Sequence, residues 1–124
     1  MNTEKQLQFV TPKQAEQLKN LGFDCEVDSH YSRHDVLIKT NIDDNWNSTD
    51  LFISAPTIAL ALKWCRDVKD IPNGIRPKRI ASSISFCWWY SIDGDLTSTN
   101  DHQDYEVAES TLLDKILLEL KVKN

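Results

Sequence analysis

Glycine is scarce in this chain: three residues in 124, Gly22, Gly74 and Gly94. A loop that cradles phosphate needs several closely spaced glycines, so the GxxxxGK[ST] and GxGxxG nucleotide-binding patterns are excluded. GxSxG and HExxH are absent too, which removes two common hydrolase signatures. Cysteine is as sparse. Cys25, Cys65 and Cys87 are odd in number, widely spaced and form no CxxC pair. That fits neither a disulfide framework nor paired zinc thiolates, and it points to free thiols in a reducing cytoplasm. No apolar run approaches the roughly 20 residues that a membrane-crossing helix needs. The opening Met1-Asn2-Thr3-Glu4-Lys5-Gln6-Leu7-Gln8 has no apolar core and no small-residue cleavage site, so it does not read as a secretory leader.

What is present is the balance of a folded domain: 40% apolar and 27% charged residues. The length suits a single domain over 1–124, with 1–10 a polar, loose N-terminal segment or short edge strand. Nineteen acidic against 14 basic side chains leave a net charge of −5, which disfavours whole-surface attraction to nucleic acid or an anionic membrane.

Three helices are marked. Thr11, Pro12 and Gln14 form a capping box with proline at the first helical position, and the Ala15, Leu18, Leu21 stripe carries the helix to Gly22, with Phe23 folding back. A second helix is expected over Pro56 to Lys69, with Ile58, Leu62 and Cys65 on its apolar face. A third runs from Tyr105 to Lys121, capped by Asp101 or Asp104. Between them, Asp35 to Lys39 and Leu51 to Ile53 read as short strands that pair with each other across a turn-rich segment. Ile80 to Ile92 alternates strictly, with Ile84, Phe86, Trp88, Tyr90 and Ile92 on one face and Ser83, Ser85, Cys87, Trp89 and Ser91 on the other. It reads as one long strand that bends, and Pro77 keeps the residues before it irregular. Asp93-Gly94 is a tight turn into a return strand over Leu96 to Thr99. The fold class is therefore α+β, an antiparallel sheet packed on one face by about three helices, in the order α-β-β-α-β-(β)-α. The expected core includes Leu18, Phe52, Ile58, Leu62, Cys65, Ile84, Phe86, Trp88, Leu112 and Ile116.

Chemistry-bearing clusters are few. Cys25, His30 and His34 have zinc-like spacing but lack a second thiol, so a polar loop is the better reading and no metal or other cofactor is assigned. Asp93-Gly94-Asp95 has its glycine in the wrong place for a calcium loop. No catalytic residue is assigned. Two tryptophans stand out as protein-interface anchors: Trp46 in an Asn/Asp-rich loop and Trp89 on a face of serines. Arg76, Lys78 and Arg79, just before the aromatic strand, combine with Trp89 in an alternative reading as a single-stranded nucleic-acid platform.

Ile53-Ser54-Ala55-Pro56-Thr57-x3-Ala61-x2-Trp64-x-Arg66, Tyr105-Glu106-x-Ala108-Glu109-x2-Leu112-x2-Lys115-x-Leu117, and Phe9-Val10 leading into Gln14-x3-Leu18-x2-Leu21-Gly22-Phe23 resemble stretches of small proteins from Bacteroidetes prophages and mobile elements. The resemblance spans about half the chain, and Cys25 to Asp50 departs from the pattern. That family has no assigned activity, so the resemblance implies a shared fold and a phage or mobile-element accessory role, and transfers no catalytic residue. The expected function is a non-enzymatic protein-interaction module, binding another protein or a second copy of itself. The alternatives are the nucleic-acid reading and an acidic inhibitor of a host enzyme.

Overall fold

The computed structural model describes residues 8–98 and 102–123. Its elements run α1 (Pro12–Asn20), β1 (Val27–Tyr31), β2 (Leu37–Asp44), a 3-10 turn (Trp46–Ser48), β3 (Ile53–Ser54), α2 (Ile58–Asp67), β4 (Asn73–Ile80), β5 (Ser83–Ile92), β6 (Asp95–Ser98) and α3 (Tyr105–Lys123). The class is α+β, as expected, and every strand pair is antiparallel; the three helices alternate with strands as expected, with β1 and β4 as additional strands. The strands form two three-stranded sheets, β2-β1-β3 and β4-β5-β6. The chain divides into two compact units, Met1–Leu60 and Ala61–Asn124, with the boundary inside α2. Each is described by itself. No helix among the described residues is long and apolar enough to cross a membrane.

In the first unit, α1 begins as the capping box requires. The Gln14 N–H donates to the Thr11 hydroxyl at 3.1 Å, and the Thr11 N–H donates to the Gln14 amide oxygen at 2.9 Å. The helix ends where Gly22 takes φ +94° and the Phe23 N–H returns to the Leu18 carbonyl at 3.0 Å, which sets the Phe23 ring in the core. The Val10 N–H is bonded to the Pro56 carbonyl, and Val10 is buried.

The sheet of this unit corrects three expectations. Polar Asp24 to Arg33 contains β1, the central strand. Its partners are β2 (Tyr31 against Leu37) and β3 (Tyr31 against Ile53), so β3 pairs with β1 and not with the Asp35–Lys39 segment. The strand there runs on to Asp44, past the expected turn, because three extra residues between Lys39 and Asp44 are taken up as an irregularity opposite Asp28. The start of α2 also shifts. The Thr57 hydroxyl accepts from the Leu60 N–H, so Thr57 is the cap and Pro56 lies outside the helix.

In the second unit, Pro77 does not break the chain. Asn73–Ile80 is a regular edge strand, where a missing N–H removes no ladder bond, paired along its length with β5 from Asn73–Tyr90 to Ile80–Ser83. The strand expected over Ile80 to Ile92 accordingly starts at Ser83, and β4 and β5 form a hairpin with Ala81 at φ +55° in its two-residue turn. A turn without glycine or asparagine left no mark in the sequence. Asp93 and Gly94, at φ +54° and +85°, form the next hairpin as expected. The Asp104 carboxylate caps α3 by accepting from the Glu106 N–H. Asp101, the other proposed cap, and Thr99 lie outside the described residues. Ala108, Leu112, Leu113, Ile116 and Leu117 are the buried face of α3. Trp88 and Tyr90 are buried and Phe86 half-buried, whereas Ile84 is 50% exposed, near the hairpin tip opposite exposed Arg79.

Candidate binding face

Residues directly opposite in an antiparallel ladder point to the same side of the sheet. The register therefore sorts the candidate residues of the second unit. Gly74, Trp89 and Ser98 share one face with the Arg76–Cys87 and Lys78–Ser85 pairs. Asn73, Tyr90, Thr97, Ile75, Trp88, Pro77, Phe86, Arg79 and Ile84 share the other. Helix α3 packs on that second face: the Tyr90 hydroxyl donates to Glu119 at 3.3 Å, and Phe86 meets Tyr105 edge-on at 5.5 Å. The structure thus joins Arg76, Lys78 and Trp89 on the face away from α3 and sends Arg79 to the side that α3 covers.

Gly74 explains how Trp89 is held. A Cβ at Gly74 would lie 2.9 Å from Trp89 Nε1 and 3.1 Å from Cε2 and Cζ2, so the indole rests against the backbone of the neighbouring strand. Only glycine leaves that space. Trp89 is half-buried, while Arg76 and Lys78 are exposed. The signal in the sequence for this seat is a glycine shortly before an alternating strand. Electrostatics favours the same face. From Ile71 to Ile92 the chain carries Arg76, Lys78 and Arg79 and no acidic residue, although the protein as a whole is at −5.

Trp46 lies in the other unit and is engaged there. Its indole N–H donates to the Val27 carbonyl at 2.8 Å, and its ring meets His30 at 4.3 Å and Phe52 at 5.7 Å. The adjoining Asn47 ties the same turn down, donating to the Phe23 carbonyl and accepting from the Ser54 N–H. His30 is buried, and burial pushes its pKa below the ordinary 6.5. Its Nδ1 and the hydroxyl of Ser54, its cross-strand neighbour, are both buried with no partner among the described residues. His34 is exposed in the β1–β2 turn and Cys25 is half-buried. Among the described residues no group of three or more His, Cys, Asp or Glu is placed to hold a metal ion. Cys65 is buried, and desolvation pushes its thiol up to about 12, so it packs as an apolar residue rather than serving as a nucleophile.

Compared with known proteins, the chain matches no family model, and neither curated proteins nor solved structures include a similar one.

Proposed function

We propose that this chain is a non-enzymatic interaction module that binds a protein partner through the sheet face bearing Trp89, Arg76 and Lys78. The observation that carries the reading is their meeting on one face, inside a stretch of chain free of acidic side chains. Tryptophan and arginine are the side chains that most often dominate binding energy at protein interfaces. Trp46 and Trp89 are both half-buried, but the Trp46 indole N–H is already bonded within its own unit. The contact surface therefore rests on Trp89, and the cations select an acidic partner surface. The resemblance to prophage and mobile-element proteins supports an accessory role of that origin.

The same juxtaposition favours a second reading. An aromatic side chain flanked by Arg76 and Lys78 on a sheet face is what stacking on single-stranded nucleic acid requires. One experiment separates the two. The tagged chain and its Arg76→Ala/Lys78→Ala and Trp89→Ala variants are used to capture partners from native lysate, with and without nuclease. Binding of the wild type to a short single-stranded oligonucleotide is followed against salt in parallel. A protein captured stoichiometrically, insensitive to nuclease and lost with both variants, supports the protein reading. Oligonucleotide binding that weakens steeply with salt, without such a band, replaces it with the second. Capture unchanged in both variants rejects the face itself.

A further inference from the structure

Helix α3 is apolar on two sides. Ala108, Leu112, Leu113, Ile116 and Leu117 are its buried side. On the side turned away from them, Val107, Leu118 and Val122 are 49%, 52% and 78% exposed. A helix that only covers a sheet carries one apolar stripe and a polar outer face. Val107, Thr111, Asp114, Leu118 and Val122 follow one another at four, three, four and four residues, which keeps them in one row along the helix. Exposed apolar side chains scattered singly are ordinary, but apolar residues aligned in a row of about four turns mark a contact surface.

We propose that this row is the interface of a two-fold dimer, in which α3 packs antiparallel on α3 of a second copy of the chain. The order of residues along the row is self-complementary. A two-fold axis between Asp114 and Lys115 sets Val107 against the second copy's Val122, Thr111 against its Leu118 and Asp114 against its Lys115. Each of these contacts occurs twice, so apolar groups meet toward both ends and opposite charges meet at the centre. Asp114 and Lys115 are both exposed. Parallel pairing in register would bring Asp114 onto Asp114 and Lys115 onto Lys115, so charge selects the antiparallel arrangement. A contact of this symmetry is closed and stops at two copies. One helix face per copy is small for a permanent dimer, and a dissociation constant of about 10–100 µM is expected. This interface is independent of the Trp89 face, which lies on the other side of β5.

The test is sedimentation equilibrium of the full-length chain from about 10 µM to about 1 mM. A reversible monomer–dimer equilibrium with no larger species is expected. Leu118→Ser is expected to weaken it about tenfold or more, and Val122→Ser takes its place if that variant does not fold. Asp114→Lys and Lys115→Asp each put like charges at the centre, so each variant alone is expected to dimerise less than the wild type. An equimolar mixture of the two is expected to recover the dimer, because each copy then supplies the charge that the other lacks. A chain that stays monomeric up to about 1 mM overturns the proposal. So does a dimer indifferent to the apolar substitution, a mixture that associates no better than its two components, or growth beyond two copies.

Discussion

The two sheets of this protein are both three-stranded and antiparallel, but different forces hold their centres. In β4-β5-β6 the central strand brings Trp88 and Tyr90 into the core, rings stacked 5.8 Å apart, beneath the leucines and isoleucine of α3. In β2-β1-β3 the central strand buries Ser29, His30 and Tyr31, and its neighbourhood is organised by directed bonds. The Tyr31 hydroxyl donates to the Val10 carbonyl at 2.6 Å, Trp46 to Val27, and Asn47 bridges Phe23 and Ser54. An apolar centre loses stability in proportion to the area removed, whereas a polar centre loses it bond by bond and responds to protonation.

The largest expected effect follows from the apolar sheet. Trp88→Ala removes a buried ring and should cost about 3–5 kcal/mol by chemical denaturation. A cost under about 1 kcal/mol would mean that the second sheet is not held by ring burial. Next is Asn47→Ala, which deletes two side-chain bonds to backbone groups of the first unit and should cost about 2 kcal/mol. Its protection loss in amide exchange should concentrate at Ser54 and the residues about β3, not in β5. A uniform loss across both sheets would erase the distinction.

The smallest effect is a pH dependence of opposite sign in the two units. His30 has a folded pKa held below 6.5 by burial, so between those values the unfolded chain binds more protons. Its contribution is intact above 6.5 and is lost as pH falls toward the lowered value. Glu109 of α3 has its pKa raised above 4.5, chiefly by burial. Its contribution is complete below 4.5 and is lost as pH rises through the raised value. Acidification from about pH 7.5 to about pH 5 should therefore weaken protection around β1 while leaving α3 unchanged or firmer. Replacement of His30 by Gln should remove the first trend. Equal weakening in both units would contradict the assignment.

These contrasts also explain what could be read in advance. β5 was legible because its burial follows its alternation: one face large and apolar, the other small and polar. β1 was not, because Ser29, His30 and Tyr31 are covered by strand pairing with β2 and β3, by the Tyr31–Val10 bond and by the Trp46 and Phe52 rings against His30, and no local pattern records such distant partners. β4 was hidden by Pro77, whose missing N–H is harmless only at an edge, and edge position is a property of the assembled sheet. The site divides in the same way. Arg76, Lys78 and Trp89 were all singled out from the chain, but not that the first two join Trp89 while Arg79 falls on the opposite face. That depends on the β4–β5 register, set by a turn at Ala81 with no glycine to announce it.

Three things about this protein were determined by the sequence alone: its α+β class, the alternation of its three helices with strands, and the caps that start α1 and end it at Gly22. Each depends on periodicity or on groups within a few residues of one another, and such short-range physics is written in neighbouring letters. The tertiary structure alone decided the division of the strands into two sheets, the seat of Trp89 on Gly74 and the docking of Trp46 on Val27, His30 and Phe52. Those depend on which distant backbone or ring comes to lie opposite, and hydrogen-bond satisfaction and ring burial settle that only when the strands have paired.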